Sequence, residues 1–304
     1  MSLEQEEKSV TTDRMQTEAR KELPIGFLDS GLGGISVLKE AVRLMPQEKF
    51  IYYGDSAHAP YGVKPAEEIK ALTYAVVEKL LNMGIKGLAV ACNTATSAAV
   101  RQLRIDYPDL PIVGIEPAVK PAVEAGMGGR ILVMATPMTI KQEKFHILLS
   151  KYEQQANIVP VPCAGLMEFV ESGDFESAFL DSYYRGNIAP YITKDTETIV
   201  LGCTHYPFLR PHLRQLLIEN GWADSTKEDG CKISLIDGSL GTSMELKRRL
   251  HVKGLLRDEA GHDGRKEEQH QNIEQLKEQI IFLNSKADEK MIERSWKLLG
   301  MPIA

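Results

Sequence analysis

Short apolar runs alternate with longer segments of helical period from about residue 23 onward. The runs that predict strands are residues 25–28, 50–53, 87–91, 112–115, 131–135, 158–161, 198–202, 233–236 and 280–283. Between the first two, Ile35, Leu38, Val42 and Met45 recur at steps of three and four, which predicts an amphipathic helix. Strands separated by helix-length segments pair in parallel, so we expect an α/β protein with helices on both faces of mainly parallel sheets.

The pattern starts over in the second half of the chain. The separation along the chain between the strand ends at Asp29 and Thr136 nearly equals that between Cys92 and Cys203. This recurrence predicts two similar α/β domains, with a crossing point near Pro117.

The predicted first domain consists of residues 22–116 together with 232–304, and the second consists of residues 117–231. By its pattern alone, the last section could complete either domain, and we assign it to the first. Residues 1–21 are polar and charged and are predicted to be a disordered N-terminal extension. The charged stretch 257–272 is predicted to be a surface loop.

Composition narrows the class of partner. The chain has 304 residues, is 43% hydrophobic and carries a formal charge of −6, as an ordinary globular protein does. The net negative charge argues against binding to nucleic acid or to an anionic membrane. No apolar run reaches the roughly 18 residues that span a bilayer, and the N-terminus lacks the apolar middle of a secretion signal. We therefore expect a cytoplasmic protein.

Four widely spaced cysteines are expected to be free thiols in a reducing compartment. Most free cysteines are inert, so a reactive one needs a specific reason. Cys92 and Cys203 have one, because each follows an apolar run at a point where a helix is about to start. Unpaired N–H groups there favour a thiolate, which predicts pKa values below the ordinary value of about 8.5. Cys163 and Cys231 are expected to be structural.

Other polar residues follow the predicted strands directly. They are Asp29, Ser30, Asp55, Asn93, Thr94, Thr204 and His205. In open α/β sheets, ligands bind beyond the carboxyl ends of the strands, so these side chains are candidates for a site. His205 lies two positions after Cys203, which in an extended segment places both on one face. Asp29 fits equally well as the N-cap of the next helix.

The glycine run Gly31–Gly34 differs from nucleotide-binding loops. It lacks the last glycine of a dinucleotide fingerprint, since Ser36 stands at the sixth position. Asp55 lies at the sequence separation of a ribose-contacting acidic residue, so a dinucleotide site remains a weak alternative. A metal site at Cys203 and His205 would need further ligands, and no short motif supplies them.

At five places the chain resembles the glutamate racemase family, within the aspartate/glutamate racemase superfamily. The matching strings, in the family's order, are residues 29–34 (DSGLGG), 54–55 followed by 60–62 (GD and PYG), 91–96 (ACNTAT), 114–118 (GIEPA) and 201–207 (LGCTHYP). The resemblance covers roughly residues 24–300. It implies two domains that face each other across a central cleft, each contributing one thiol, and it implies neither pyridoxal phosphate nor a metal.

The resemblance also implies residue roles. Cys92 would take the α-proton from D-glutamate and Cys203 would take it from L-glutamate, with Asp29 and His205 as auxiliary catalytic residues. The implied substrate-binding residues are Ser30, Pro60, Tyr61, Gly62, Asn93, Thr94, Thr204, Glu171 (as a further cleft carboxylate) and Thr136 (in a string that has Ala135 where many members have glycine).

The implied function is interconversion of L- and D-glutamate, which would supply D-glutamate for peptidoglycan. The resemblance further implies a cytoplasmic homodimer whose small-molecule partner is glutamate. The residues by themselves leave other functions open. Cys203 with His205 would also suit a thiol-dependent hydrolase, which needs only one cysteine. Aspartate racemase is the nearest alternative within the superfamily, and a two-domain cleft also suits a protein that binds an amino acid without catalysis.

Overall fold

A computed structural model describes residues 18–173, 175, 178–258 and 273–301. Every predicted strand is present among them. The strands are β1 Ile25–Asp29, β2 Phe50–Gly54, β3 Gly87–Val90, β4 Ile112–Gly114, β5 Arg130–Ala135, β6 Asn157–Pro162, β7 Thr196–Leu201, β8 Ser234–Asp237 and β9 Ile280–Asn284.

At least one helix separates each pair of consecutive strands in the described part of the chain. They are α1 Ile35–Leu44, α2 Ala66–Asn82, α3 Asn93–Ala95, α4 Arg101–Asp106, α5 Val119–Ala125, α6 Pro137–Lys141, α7 Glu143–Ser150, α8 Leu166–Ser172, α9 Ala178–Tyr183, α10 Arg210–Leu217, α11 Ser239–Val252, α12 Ile273–Gln279 and α13 Glu289–Gly300. A π-helical segment, Thr96–Val100, joins α3 to α4. None of the helices described is both long and apolar enough to cross a membrane.

The strands form two sheets, and every pairing is parallel. The first sheet has the order β4-β3-β1-β2-β9 and the second has the order β6-β5-β7-β8. The central strand β1 is buried at all five positions, as expected for a parallel strand covered by helices on both faces. The α/β class with two parallel sheets is therefore confirmed.

Strand β8, which the sequence assigned to the first domain, lies in the sheet of the second domain. Strand β8 pairs with β7, with Leu201 level with Asp237, so Ser234–Asp237 completes the second sheet and not the first. The chain returns to the first sheet at Gly238, because α11 packs on α1 and the Ser243 hydroxyl donates to the Val37 carbonyl. Both sheets have an open edge, and an apolar run carries no information about which edge it will join.

Regular structure begins before residue 21, the predicted end of the N-terminal extension. Residues 1–17 lie outside the described part, but residues 18–21 form a helical turn. The buried Lys86 ammonium donates to the Lys21 carbonyl at 2.6 Å, which fixes this turn against the amino ends of the strands. Most of the predicted charged loop, residues 259–272, also lies outside the described part.

Candidate active site

The carboxyl ends of the two sheets meet at a cavity of about 300 Å³. Both Cys92, which follows β3, and Cys203, which follows β7, line it. All other residues predicted for the site also line it, except Asp29, Asp55 and Glu171. These lining residues are Ser30, Pro60, Tyr61, Gly62, Asn93, Thr94, Thr136, Thr204 and His205. Parallel strands bring their carboxyl ends to one edge, which is why motifs far apart in sequence converge.

Cys92 is the N-cap of α3, with an extended backbone, and is only 6% exposed. Its sulfur accepts from the Ala95 N–H at 3.5 Å and lies 3.6 Å from the Ser30 hydroxyl oxygen. Burial, followed by the nearby charge of Asp29, raises its pKa to about 11 despite these contacts. The expectation of a lowered pKa is therefore wrong for Cys92, because a few N–H donors do not compensate for the loss of water beside a carboxylate.

Cys203 lies in a different environment. It is partly exposed, and its sulfur lies 3.6 Å from Nδ1 of His205, so the two side chains share one face as their spacing predicts. Nε2 of His205 lies 2.7 Å from a carboxylate oxygen of Glu171. This Cys-His-Glu chain gives the sulfur a neighbour that can donate a proton or hold one.

His205 and Glu171 are held as an ion pair. Burial by itself lowers the pKa of His205, but its hydrogen bonds with Cys203 and Glu171 raise the pKa well above its ordinary value. Burial by itself raises the pKa of Glu171, but the hydrogen bond with His205 and its positive charge bring the pKa below its ordinary value. A buried imidazolium therefore lies beside one of the two thiols and not the other.

Glu171 is not a wall of the cavity, in contrast to its predicted role as a cleft carboxylate. Besides His205, it accepts from the backbone N–H of Leu32 at 2.7 Å, on the loop after β1. It lies behind His205 and connects the second domain to the first. Its contacts make it a residue that orients the imidazole.

Asp29 also lies behind the cavity wall. It is 1% exposed and accepts from the Gly31 N–H at 2.7 Å and from the Thr204 hydroxyl at 3.3 Å. Burial raises its pKa to about 6, while the positive charge of His205 acts in the opposite direction. It does not cap the next helix, because α1 has Gly34 at its N-cap without a side-chain hydrogen bond.

The glycine run after β1 makes room for side chains of the other domain. A Cβ on Gly33 would lie 2.4 Å from Nδ1 of His205, and a Cβ on Gly31 would lie 2.2 Å from a carboxylate oxygen of Glu171. Real Cβ atoms do not approach so closely, so only glycine fits at these positions. Side chains of the other domain thus occupy the space next to the loop, which argues against the dinucleotide alternative.

Hydrogen bonds between the domains hold the two thiol loops together. The Asn93 amide, next to Cys92, donates to the Gly202 carbonyl, next to Cys203, at 3.2 Å. The Ser36 hydroxyl donates to the Thr204 carbonyl at 3.0 Å. These contacts fix the position of one thiol relative to the other.

The sequence did not single out several other residues of the cavity. They are Val63, Pro137, Met138, Thr139, Lys141, Cys163, Ala164, Gly165, Met167, Glu168 and Gly202. Many of them follow β5 and β6, and the rule that ligands bind beyond strand ends would have pointed to these loops. Cys163, expected to be structural, is buried beside the cavity, and burial raises its pKa to about 12. In the described part of the chain, no three His, Cys, Asp or Glu side chains are grouped as metal ligands.

Comparisons with known proteins agree with this geometry. The sequence profile of the Asp/Glu/hydantoin racemase family matches residues 29–239. Glutamate racemase from Clostridium botulinum is 46% identical over 280 residues, which are 92% of this chain and 98% of that protein. The crystal structure of glutamate racemase isoform RacE1 from Bacillus anthracis superposes with a TM-score of 0.73 at 28% identity, covering 93% of this chain and 96% of that one.

A further solved structure holds ligands. It is Escherichia coli glutamate racemase in complex with L-glutamate and the activator UDP-MurNAc-Ala, with a TM-score of 0.66 and 26% identity over 86% of this chain and 97% of that one.

Proposed function

This chain belongs to the Asp/Glu/hydantoin racemase family, and from that premise we propose that it interconverts L-glutamate and D-glutamate by proton transfer between the substrate Cα and two thiols. Its similarity to curated glutamate racemases extends over 92% of its length, which favours glutamate over aspartate as the substrate. The observation that carries the proposal is that Cys92 and Cys203, from two different sheets, line one cavity.

Two bases suit this reaction. Racemisation requires a proton to leave one face of Cα and another to arrive on the opposite face. A single base would have to reach both faces or the substrate would have to turn over. Thiols brought from two domains can approach a bound amino acid from two sides without moving it.

Residues that line the cavity can stabilise the anion that forms when the weakly acidic Cα loses its proton. Removing the α-proton leaves negative charge on the substrate carboxylate, and donors already in place stabilise that charge. Ser30, Asn93, Thr94 and Thr204 line the cavity, and their hydroxyl, amide and backbone N–H groups are the candidate donors, except the Thr204 hydroxyl, which donates to Asp29. Losing one such donor typically lowers the rate by about 10²–10³.

In the free enzyme, the surroundings of the two thiols suit the reaction that starts from L-glutamate. With a pKa of about 11, Cys92 is a thiol near neutral pH and can donate its proton. His205 can donate an N–H to a Cys203 thiolate, which then accepts the α-proton of L-glutamate. The reverse reaction starts from the opposite arrangement, in which Cys92 takes the proton of D-glutamate. Each enantiomer thus uses one of the two protonation states of the pair.

The cellular setting is part of the same proposal. The four cysteines of the chain are free, two of them are needed as thiols, and a reducing cytoplasm keeps them so. We place the protein there as a homodimer, with D-glutamate passing to peptidoglycan.

The Cys203-His205-Glu171 chain supports one alternative, a thiol-dependent hydrolase. Such an enzyme would form an acyl-enzyme on Cys203 and would leave the position of Cys92 unexplained. A covalent adduct detected by mass spectrometry during turnover would favour it.

The first prediction tests the function itself. L-glutamate and D-glutamate are each incubated with the enzyme without added cofactor, and circular dichroism is recorded until it is constant. We expect both solutions to lose their signal and reach the same end point. In D₂O, the Cα proton should disappear from the ¹H NMR spectrum of glutamate and should exchange far more slowly in aspartate. Glutamate that keeps both its optical signal and its Cα proton would refute the proposal.

A further inference from the structure

Behind one wall of the cavity lies a buried carboxylate that was a site candidate only by its position after a strand, and to which the proposed mechanism gives no role. Asp55 follows β2 and is 2% exposed. One of its oxygens accepts from the Tyr61 hydroxyl at 2.6 Å, and the other lies 2.8 Å from Nδ1 of the half-exposed His58. Tyr61 itself is 1% exposed and lines the cavity. A side chain of the binding wall is therefore hydrogen-bonded to a carboxylate that does not reach the cavity.

The wall carried by Tyr61 is a short irregular segment. Tyr61–Val63 is a single 3₁₀ turn, and Pro60 and Gly62 on either side of Tyr61 line the cavity as well. Loops of this kind are usually mobile unless something fixes them. A Cβ on Gly62 would lie 3.8 Å from the Thr136 hydroxyl of the opposite domain, so a small displacement of this wall changes the width of the cavity.

Asp55 is well placed to fix this wall because its own position is secured. Its backbone N–H donates to the Asp29 carbonyl at 2.9 Å, which ties it to the end of β1. The next two residues are held at the end of β9, because the Asn284 amide donates to the Ser56 hydroxyl and the Ala57 N–H donates to the Ser285 hydroxyl, each at 2.8 Å. A carboxylate held in this way is a rigid acceptor.

The Tyr61 hydroxyl, at the other end of this hydrogen bond, remains a donor. Burial, followed by the hydrogen bond to Asp55, raises the pKa of Tyr61 above its ordinary value, so its proton stays on the oxygen. Hydrogen bonds in which one partner is ionised are shorter and about twice as strong as neutral ones. The Tyr61–Asp55 contact is therefore strong enough to help hold this turn in place.

We infer that Asp55 is a positioning residue for the substrate site, acting through Tyr61 to hold the Pro60–Gly62 wall at its place in the cavity. This inference rests on the proposed glutamate racemisation. Since the wall contacts the bound amino acid before, during and after proton transfer, its displacement weakens ground-state and transition-state binding alike. Such a loss raises KM and leaves kcat nearly unchanged.

The second prediction tests this inference with Asp55→Ala, Tyr61→Phe, the double variant and Asp55→Asn. We expect each of the first two to raise KM for glutamate about tenfold, the order of one lost buried hydrogen bond to a charged group, with kcat within about twofold. The double variant should be no worse than the single ones, because both break the same contact. Asp55→Asn should recover most of the loss, since its amide oxygen still accepts from Tyr61.

A second tyrosine–aspartate pair provides the matched control. Tyr74 donates to Asp106 on the surface, away from the cavity. Tyr74→Phe and Asp106→Ala should leave KM and kcat at the wild-type values.

Three results would overturn the inference. The first is a wild-type KM in Tyr61→Phe, which can be measured even if Asp55→Ala fails to fold. The second is a KM in the double variant that rises by the product of the two single effects. The third is a KM in Asp55→Asn as high as that in Asp55→Ala. A wild-type enzyme that does not racemise glutamate would instead refute the proposed function.

Discussion

The two halves of the cavity present the same residue type in opposite electrostatic settings. Cys92 is buried, has Asp29 nearby, and burial together with that carboxylate raises its pKa. Cys203 is partly exposed and lies beside His205, which Glu171 holds in its charged form. Both cysteines follow a parallel strand, and both stand before a helical segment.

The comparison shows that a thiol's position at a strand end does not determine its protonation state. The difference comes from the charged side chain that its own domain places near each sulfur. His205 lies beside Cys203, in space that Gly33 of the other domain leaves free, whereas the charge that acts on Cys92 is that of Asp29. Two thiols that differ in this way are prepared for complementary roles: Cys92 holds its proton, and Cys203 has a cationic neighbour that can donate to its sulfur.

The largest expected effect comes from removing either thiol. Cys92→Ala and Cys203→Ala should each lower racemisation by at least about a thousandfold, within the range typical of a general acid or base. Cys231→Ala, a buried cysteine outside the cavity, is the matched control and should keep the wild-type rate. The measurement is the loss of optical rotation from each enantiomer. Near wild-type turnover by either single variant would show that one thiol suffices.

A second experiment measures the difference between the thiols directly. Iodoacetamide at pH 8 should modify Cys203 about a hundredfold faster than Cys92, because alkylation requires an accessible thiolate. A pKa of about 11 leaves roughly one Cys92 in a thousand ionised at that pH. Peptide mapping by mass spectrometry at short times gives both rates, with urea-unfolded protein as the control in which they converge. If Cys92 reacts as fast as Cys203 in the folded protein, the asymmetry is wrong.

The smallest expected effect concerns Asp29. Folding raises its pKa from 3.8 to about 6, so the folded state holds the proton more tightly than the unfolded state. The stabilisation from this difference is complete below about pH 3.8 and is lost as the pH rises through about 6. Asp29→Asn lacks this loss, so relative to wild type it should gain about 2 kcal/mol in the free energy of unfolding between about pH 4.5 and about pH 7.5. Urea titrations at both pH values measure it, and a difference that is constant or falls with pH would contradict it.

The sequence predicted more of the fold than of the site's chemistry. Strand ends such as Asp29 and Cys203 were located because apolar runs and the polar residues after them are local features. The resemblance to glutamate racemases then indicated which of these residues belong together. It did not indicate that Glu171 lies behind His205, nor that burial would raise the pKa of Cys92.

By itself, the sequence determined that this protein alternates strands and helices and that Cys92 and Cys203 each end a strand. Those features depend on periodicity and on neighbouring residues, which are written in the order of the chain. Only the tertiary structure decided that β8 joins the second sheet, that both sulfurs line one cavity, and that an imidazolium lies beside only one of them. The reason is physical: strand pairing, burial and charge proximity depend on residues far apart in sequence, and their free energies arise only when the chain brings those residues together.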